Sequence, residues 1–235
     1  MESFKIKSKL DSDIELKVIP GHFSSDRYHV NYYIDMSSLK TRVKAVKKIA
    51  EVMAQQYIKK VNIKPSLNSS LIEMGSLTAM GANVKPVDTI ICMDGCEVIG
   101  AYLAEEFMKV GVPNKTQHNS MYVISPEFDN TGQMVVRNNI KDKIKGRNVL
   151  VVLASAMGGQ TITKAVGTIL AYGGKVTGLS VIFGNVTEVD GYPVYSVFTK
   201  DDIPNFRLSD PENCQDCKDG KKLTAVVNSY GYEEL

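Results

Sequence analysis

The sequence lacks the features that mark membrane, secreted or nucleic-acid-binding proteins. No apolar run approaches the roughly 20 residues that span a bilayer. The N-terminal stretch, MESFKIKSKLDSDIELKV, is charged throughout and has no apolar core of a signal peptide. The formal net charge of +2 gives no support to binding of nucleic acid or of a membrane surface. We therefore expect a cytoplasmic protein that binds neither nucleic acid nor a membrane.

Cysteine is scarce, with four residues at Cys92, Cys96, Cys214 and Cys217. In a cytoplasmic protein these thiols are expected to be reduced. The last two form a CxxC motif in a polar tail. A single CxxC supplies only two ligands and is a weak indicator of zinc. We interpret the cysteines as structural thiols and leave a metal at the CxxC unassigned.

The regular part of the sequence alternates between short apolar runs and helical patterns. Its length of 235 residues, with 43% hydrophobic and 23% charged residues, suits one large globular domain or two small ones. Helices are predicted in VIGAYLAEEFMKVG and TITKAVGTILAYGG. Strands are predicted in VDTIICM, SMYVIS, NVLVVLA, KVTGLSVIFG and YPVYSVFT. This order predicts an α/β fold with a parallel sheet.

The other segments are less regular. Residues 1–35 are predicted to be β-rich. A helix is predicted from Ser37 to Lys60, with Ser37 or Ser38 as its cap. Residues 61–84 are mixed, and SLNSSL within them is predicted to be a loop. The stretch PEFDNTGQMVVRNNIKDKIKG reads as a long polar excursion between the second and third strands of the sheet.

The stretch NVLVVLASAMGGQTI reads as a buried strand, a loop of small residues and the start of a helix. Gly158 and Gly159 allow backbone amides to approach a ligand closely. Thr161 is predicted to cap the helix, whose N-terminal end attracts anions. These features favour a phosphate site. The alternative is a glycine-rich turn without a ligand.

The loop MDGCE follows the first strand of the sheet, and it too is expected at the carboxyl edge, where such sheets bind ligands. Gly95 would allow backbone approach, and Asp94 and Glu97 could hold a metal or a ribose hydroxyl. The alternative is a solvated loop whose acids complement the dipole of the next helix.

The N-terminal stretch GHFSSDRYHVNYYID concentrates His22, Arg27, His29 and three tyrosines. Such a segment can offer cations to a phosphate and flat rings to a base. The alternative is an ordinary amphipathic strand.

Three segments together resemble the type I phosphoribosyltransferases, and most closely orotate phosphoribosyltransferase. HVNYYIDMSSLK resembles the family's N-terminal segment. VDTIICMDGCEVIGAYLAEEF resembles its pyrophosphate-binding loop with the flanking strand and helix. GRNVLVVLASAMGGQTITKAVGTILAYGGKVTGLSVIF resembles its phosphoribosyl pyrophosphate loop. CQDCKDG is similar to a tail of some members, so the resemblance covers most of the chain in order.

The resemblance implies one domain over residues 1–235, with a hood or N-terminal part at 1–65, a core sheet at 85–200 and a tail at 201–235. It implies a parallel sheet of about five strands flanked by helices, and a small N-terminal hood. It also implies transfer of a phosphoribosyl group from phosphoribosyl pyrophosphate to a base, with Mg²⁺. The expected base is orotate, as in pyrimidine nucleotide synthesis, and the expected assembly is a homodimer.

The same resemblance assigns roles to residues by matched position. The base and hood residues would be Arg27, His29, Tyr32 and Tyr33. The pyrophosphate loop would comprise Asp94, Gly95, Cys96 and Glu97. Catalytic roles would fall to Arg137, Asp94 and Glu97. The 5′-phosphate would be held by Ser155, Ala156, Met157, Gly158, Gly159, Gln160 and Thr161.

The sequence departs from the family at two places. Leu153 and Ala154 stand where the family has two acids that hold the ribose hydroxyls. Ser125-Pro126-Glu127 lies near the expected basic pair of the catalytic loop, where Arg137 is the only cation before Lys141. Each lost charge-assisted contact in such a site costs about 2–4 kcal/mol.

These departures leave several hypotheses open. One is a divergent transferase for orotate or a similar base, in which Asp94 or Glu97 replaces the lost acids and Arg27, His29 or Arg137 the lost cations. Another is a nucleotide- or ribose-phosphate-binding regulatory protein that has lost catalysis. A third is an unrelated doubly wound protein, although neither G-x-G-x-x-G in a first strand-turn-helix nor G-x-S-x-G is found.

Overall fold

The computed structural model describes residues 2–58, 85–109 and 120–235. Its helices are α1 (Ser37–Thr41), α2 (Val43–Gln55), α3 (Glu97–Lys109), α4 (Gln160–Ala171) and α5 (Gln215–Lys218). Its strands are β1 (Phe4–Lys7), β2 (Glu15–Ser24), β3 (His29–Asp35), β4 (Thr89–Cys92), β5 (Tyr122–Ile124), β6 (Glu127–Phe128), β7 (Met134–Val135), β8 (Asn148–Ala156), β9 (Lys175–Gly184), β10 (Glu188–Val189), β11 (Tyr192–Thr199), β12 (Leu208–Ser209), β13 (Ala225–Val227) and β14 (Tyr232–Glu234).

The central sheet has the strand order β10-β11-β9-β8-β4-β5. Every pairing from β11 to β5 is parallel, and only the short edge strand β10 runs antiparallel. Strand β8 is buried along almost its whole length and carries no charged residue, as expected of a strand covered on both faces. The α/β class and the five predicted strands of the parallel sheet are thus confirmed.

The chain order within this sheet creates a crevice. Among the strands of this sheet, β4 comes first in the chain and lies between β5 and β8. The connections after β4 and β8 therefore lead away in opposite directions. In open parallel sheets ligands bind at the carboxyl ends of the strands, where the order reverses. Here that position lies between the ends of β4 and β8.

A second sheet combines the two ends of the described chain. Its order is β12-β3-β2-β13-β14, with β1 paired to the other part of β2. Strand β13 runs parallel to β2, with Ala225 opposite Phe23. A register shift between Pro20 and Phe23 marks a bulge in β2. We call this second sheet the hood; it contains tail strands as well as the expected N-terminal strands.

Helix α2 is anchored to the central sheet through Tyr57, just after the helix end. Its hydroxyl lies 2.7 Å from Ser180 Oγ. A Cβ at Gly178 would come within 2.4 Å of the Tyr57 ring, so this position requires glycine. Hood residues such as Leu16 and Ile34 belong to the same apolar core as Ile90 of β4. The hood and the central sheet are therefore packed together.

The helix predicted from Ser37 to Lys60 is wrong in its extent, because it is interrupted at Arg42 and α2 ends at Gln55. Arg42 has extended backbone angles (φ −81°, ψ 106°). The predicted serine cap is also wrong. Ser37 is the first helical residue, and its N–H donates to Asp35 Oδ1 at 3.1 Å. The Asp35 side chain thus accepts the backbone N–H of the first helical residue.

The predicted polar excursion is only partly irregular. It contains the β6–β7 hairpin and a 3₁₀ turn at Asn138–Lys143. Met134, Val136 and Ile144 are buried against the central sheet, which explains why this polar segment is ordered. The loop predicted within residues 61–84 and the helix end predicted at Gly111 lie outside the described residues. Within the described part of the chain, no helix is long and apolar enough to span a bilayer.

Candidate functional site

A cleft of about 380 Å³ lies at the carboxyl ends of β4 and β8. It is the position that the reversal of strand order marks for ligands. The central sheet contributes one wall, and the hood and the first helical turn of α1 contribute the other. Its lining comprises the segments 25–28, 32–34, 36–37, 153–162 and 227–230, with Val30, Lys40, Asp94 and Leu208.

The loop after β8 forms one end of the cleft. Ser155 to Thr161, the predicted phosphate-binding residues, all line it. Helix α4 begins at Gln160, and Gly159 precedes it with a left-handed backbone (φ 80°) that favours glycine. The first N–H groups of a helix have no partner within the helix and carry partial positive charge. The loop therefore offers backbone donors to an anion.

The predicted capping role of Thr161 is wrong. The cap position is Gly159, and no side chain caps this helix. Because Gly159 adopts a left-handed conformation, the helix starts one residue before Thr161 and places Thr161 inside its first turn. The uncapped donors remain on the side where the cleft lies.

Two side chains from outside the loop hold it in place. Asn185, after β9, donates from Nδ2 to the carbonyl of Met157 at 2.9 Å and from its N–H to that of Ala156 at 2.9 Å. Tyr28 covers Gly158 so closely that a Cβ there would lie 2.0 Å from the tyrosine Oη. Gly158 is therefore required because a larger residue would collide with Tyr28.

The loop after β4 contributes Asp94 to the cleft. Asp94 and Gly95 both have positive φ, 58° and 77°. Lys40 donates from Nζ to the carbonyls of Asp94 (2.9 Å) and Ser229 (2.8 Å), which ties this loop to α1 and to the C-terminal segment. Burial raises the pKa of Asp94, although hydrogen bonds from Ser229 and the Ala154 amide and the Lys40 charge act in the opposite direction.

The other residues of the predicted pyrophosphate loop face elsewhere. Cys96 is fully buried in the core, and this burial raises the pKa of its thiol well above the ordinary value. Glu97, the first residue of α3, accepts a hydrogen bond from Ser125 Oγ at 2.8 Å. Neither side chain lines the cleft.

The described lining of the cleft offers few carboxylates to a magnesium ion. Leu153 and Ala154 are each 1% exposed and offer no carboxylate where the family resemblance placed two acids. Among the described lining residues, the carboxylates are Asp26 and Asp94. Asp94 is already bonded to Ser229 and to the Ala154 amide. Magnesium sites in proteins use carboxylates that are free to bind the ion or its waters.

The remaining predicted residues are divided between three places. Arg27, Tyr32 and Tyr33 line the cleft. Arg137 lies outside its lining and donates from Nε and Nη2 to Glu127 Oε2 at 2.9 and 2.6 Å. His29 is buried in the hood beside His22 and does not line the cleft.

The cleft also contains residues that sequence reasoning missed. Lys40 belongs to a helical face that reads as an ordinary solvated row of lysines. Ser229 and Tyr230 belong to a tail with no motif. Only the pairing of β13 with β2 brings that tail to the cleft, so no local sequence signal could have found it.

No protein-family model matches the sequence, and no curated protein matches it. Solved structures of phosphoribosyltransferases are similar in fold. The orotate enzyme of Mycobacterium tuberculosis in complex with phosphoribosyl pyrophosphate is 15% identical over 72% of this chain and 82% of that chain, with a TM-score of 0.45. The adenine enzyme of Thermoanaerobacter pseudethanolicus is 15% identical over 84% and 95%, with a TM-score of 0.45.

An adenine phosphoribosyltransferase of Trypanosoma brucei, in complex with AMP, pyrophosphate and ribose-5-phosphate, is 14% identical over 83% of this chain and 82% of that chain, with a TM-score of 0.48. The similarity suggested by the sequence motifs thus recurs among solved structures. It concerns fold, and neither the base nor the reaction of those proteins passes to this chain through it.

Proposed function

We propose that the cleft binds the 5-phosphoribosyl part of a ligand, either a nucleoside monophosphate or phosphoribosyl pyrophosphate. The observation that carries the proposal is the loop Ser155–Thr161 at the start of α4, which lines a cleft at the reversal of strand order. A loop of small residues at a helix N-terminus is a phosphate site by geometry and charge. The phosphate would accept hydrogen bonds from the backbone amides after Met157.

The base would lie at the hood end of the cleft. Tyr32 and Tyr230 supply aromatic rings there, and Arg27 supplies an exposed cation. Flat rings suit a base, and an arginine pairs well with a carboxylate. Orotate, which carries a carboxylate, is therefore the base that we would test first, with adenine as the comparison.

The test is calorimetric titration of orotidine 5′-monophosphate and AMP, each beside its nucleoside, with and without Mg²⁺. We expect the monophosphates to bind at least about 100-fold more tightly than the nucleosides, since the phosphate contacts are charge-assisted. Because Asp94 is engaged and Leu153 and Ala154 are apolar, we expect little dependence on Mg²⁺. Equal affinity for nucleotide and nucleoside would contradict the proposal.

Phosphoribosyl transfer is the second candidate. The observation that favours it is Asp94, a largely buried carboxylate that lines the cleft next to Lys40. In this reaction a base nitrogen forms a bond to C1 of phosphoribosyl pyrophosphate as the bond from C1 to pyrophosphate breaks. The transition state has ribosyl-cation character, which a nearby carboxylate stabilises.

The test of transfer is pyrophosphate release from phosphoribosyl pyrophosphate with orotate, adenine or hypoxanthine as the acceptor. Turnover that falls about 100-fold or more in Asp94→Asn, with nucleotide binding retained, would establish the transferase. No turnover with any of these bases, together with nucleotide binding, would leave a binding protein. A homodimer remains a proposal, which sedimentation of the full chain would test.

A further inference from the structure

Four potential metal ligands meet in the hood, away from the cleft described above. They are His22, His29, Cys214 and Cys217, and their ligand atoms all lie within 4.8 Å of one another. His22 lies in the bulge of β2, and His29 begins β3. Cys214 immediately precedes α5, and Cys217 lies within it. The fold therefore joins residues that are up to 195 positions apart.

Four of the six distances within this cluster are close to those of a tetrahedral site. His22 Nε2 lies 3.1 Å from His29 Nδ1, 3.4 Å from Cys214 Sγ and 3.6 Å from Cys217 Sγ. Cys217 Sγ lies 3.2 Å from His29 Nδ1. With Zn–N of about 2.0–2.1 Å and Zn–S of about 2.3 Å, neighbouring ligand atoms of a tetrahedron lie about 3.3–3.8 Å apart.

A bound cation accounts for the close approach of these four ligand atoms better than hydrogen bonds between them do. His22 Nδ1 lies 3.0 Å from the carbonyl of Lys221, so this nitrogen carries the proton and Nε2 presents its lone pair to the cluster. One lone pair accepts one good hydrogen bond, yet three ligand atoms surround it. A cation would interact with all four ligand atoms at once. A histidine ligand whose other nitrogen donates to a carbonyl is a common arrangement around metals.

We propose that His22, His29, Cys214 and Cys217 bind one structural zinc ion. Two imidazoles and two thiolates are soft or intermediate donors in tetrahedral array, which suits zinc and excludes magnesium or calcium as the resident ion. Four protein ligands leave no position for substrate, so the site is structural. Three of the ligands are buried and only Cys217 is exposed.

The zinc would attach the C-terminal tail to the hood. Residues after Cys217 continue into β13, which pairs with β2 next to His22. They then reach Ser229, whose carbonyl accepts from Lys40 at the cleft. A bond between the tail and β2–β3 closes a long loop of the chain, which restricts the unfolded state and orders the segment that follows.

The first experiment measures metal in the full chain, purified without chelators and freed of any affinity tag. We expect one zinc per chain by elemental analysis. Cobalt added to the metal-free chain should give the intense visible absorption of a tetrahedral thiolate site. A folded chain that contains no zinc and gives no such spectrum would overturn the proposal, as would a Cys214–Cys217 disulfide in protein purified under reducing conditions.

Variants locate the site. Cys217→Ser and His29→Gln should each weaken zinc binding by about 100-fold or more, since the loss of a supporting contact alone costs 10–100-fold. The matched control is Cys92→Ala, which removes a buried thiol of β4 in the central sheet. Unchanged zinc affinity in Cys217→Ser and His29→Gln would overturn the assignment. If these variants do not fold, the cobalt spectrum of the unaltered chain decides the question alone.

Discussion

The phosphate loop of the central sheet and the His/Cys cluster of the hood differ in how the chain builds them. The loop is made by consecutive residues, Ser155 to Thr161, between a strand and the helix that follows it. The cluster takes two residues from each end of the chain, and only strand pairing in the hood brings them together. The residues of the first site are neighbours in the sequence, whereas those of the second are brought together only by tertiary structure.

The two sites also differ in the kind of ligand that they can bind. The loop offers backbone donors, which need no particular side chain and suit an anion. The cluster offers side-chain nitrogen and sulfur atoms, which suit a cation. Among the described residues, the lining of the cleft has two carboxylates, Asp26 and Asp94, and the four potential metal ligands lie outside that lining. We infer that anion binding and metal binding are divided between the two sheets.

The largest expected effect comes from breaking the hood cluster. Chelation of zinc, or the double variant Cys214→Ser/Cys217→Ser, should lower the free energy of unfolding by about 3 kcal/mol or more. For a chain of this size that corresponds to a fall in Tm of about 6–12 °C. Thermal unfolding with and without a chelator measures it. The Cys92→Ala chain should lose the same amount on chelation, and an unchanged Tm in the unaltered chain would contradict the structural role.

The next largest effect is expected on nucleotide affinity, when a side chain is added to the phosphate loop Ser155–Thr161. Gly158→Ala places a methyl group where Tyr28 and the phosphate would meet, because a Cβ there lies 2.0 Å from Tyr28 Oη. We expect nucleotide affinity to fall about 10- to 100-fold, or about 1.4–2.8 kcal/mol, with zinc content unchanged. Calorimetric titration of the nucleotide measures the affinity of this variant and of the control variant described next.

The matched control lies on α4, the helix that follows the loop. A Cβ at Gly167 has no atom within 4 Å, so Gly167→Ala should leave affinity unchanged. It should also raise stability by about 0.5–1 kcal/mol, because alanine is the better helix former. Equal affinities of the two alanine variants would show that Gly158 does not lie at the phosphate.

A smaller effect comes from the carboxylate that secures α5. Asp216 accepts from Lys221 Nζ at 2.6 Å and from Arg207 Nη2 at 3.1 and 3.2 Å. The hydrogen bond from Lys221, followed by the contacts of Arg207, lowers the pKa of Asp216 despite its burial. A carboxylate with a lowered folded-state pKa stabilises the fold above its ordinary pKa of 3.8, and this stability is lost as the pH falls through the folded value.

Asp216→Asn should therefore lower the free energy of unfolding at pH 7 by about 1–2 kcal/mol, and by progressively less below pH 3.8. Urea unfolding across this range measures the difference. The control is Asp219→Asn, since Asp219 accepts an exposed hydrogen bond from the neutral side chain of Gln215. A loss that stays constant down to the lowest pH would contradict the charge-based account.

Features that depend on local pattern could be predicted from the sequence. Apolar runs such as NVLVVLA marked the parallel strands, since a strand covered on both faces must be apolar throughout. The loops at Asp94 and Gly158 followed from the strand-to-helix order. The first residues of α1 and α4 could not be predicted in this way. They depend on the hydrogen bond to Asp35 and on the left-handed backbone of Gly159, and hydrophobic periodicity indicates neither.

Features that depend on distant contacts could not be predicted. The CxxC of the tail supplied two ligands, and nothing in its spacing pointed to His22 or His29. The neighbouring Arg27 and Tyr28 instead favour the prediction that these histidines are cations for a phosphate. The role of Arg137 also stays a prediction, and its guanidinium is paired with Glu127 outside the cleft lining.

The measurement that tests the central claim most directly is the affinity of the full chain for orotidine 5′-monophosphate and for orotidine, compared under identical conditions without Mg²⁺. The account predicts that the monophosphate binds at least about 100-fold more tightly and that Gly158→Ala removes most of this difference. Equal affinity of the two compounds, or a preference that Gly158→Ala leaves intact, would contradict it.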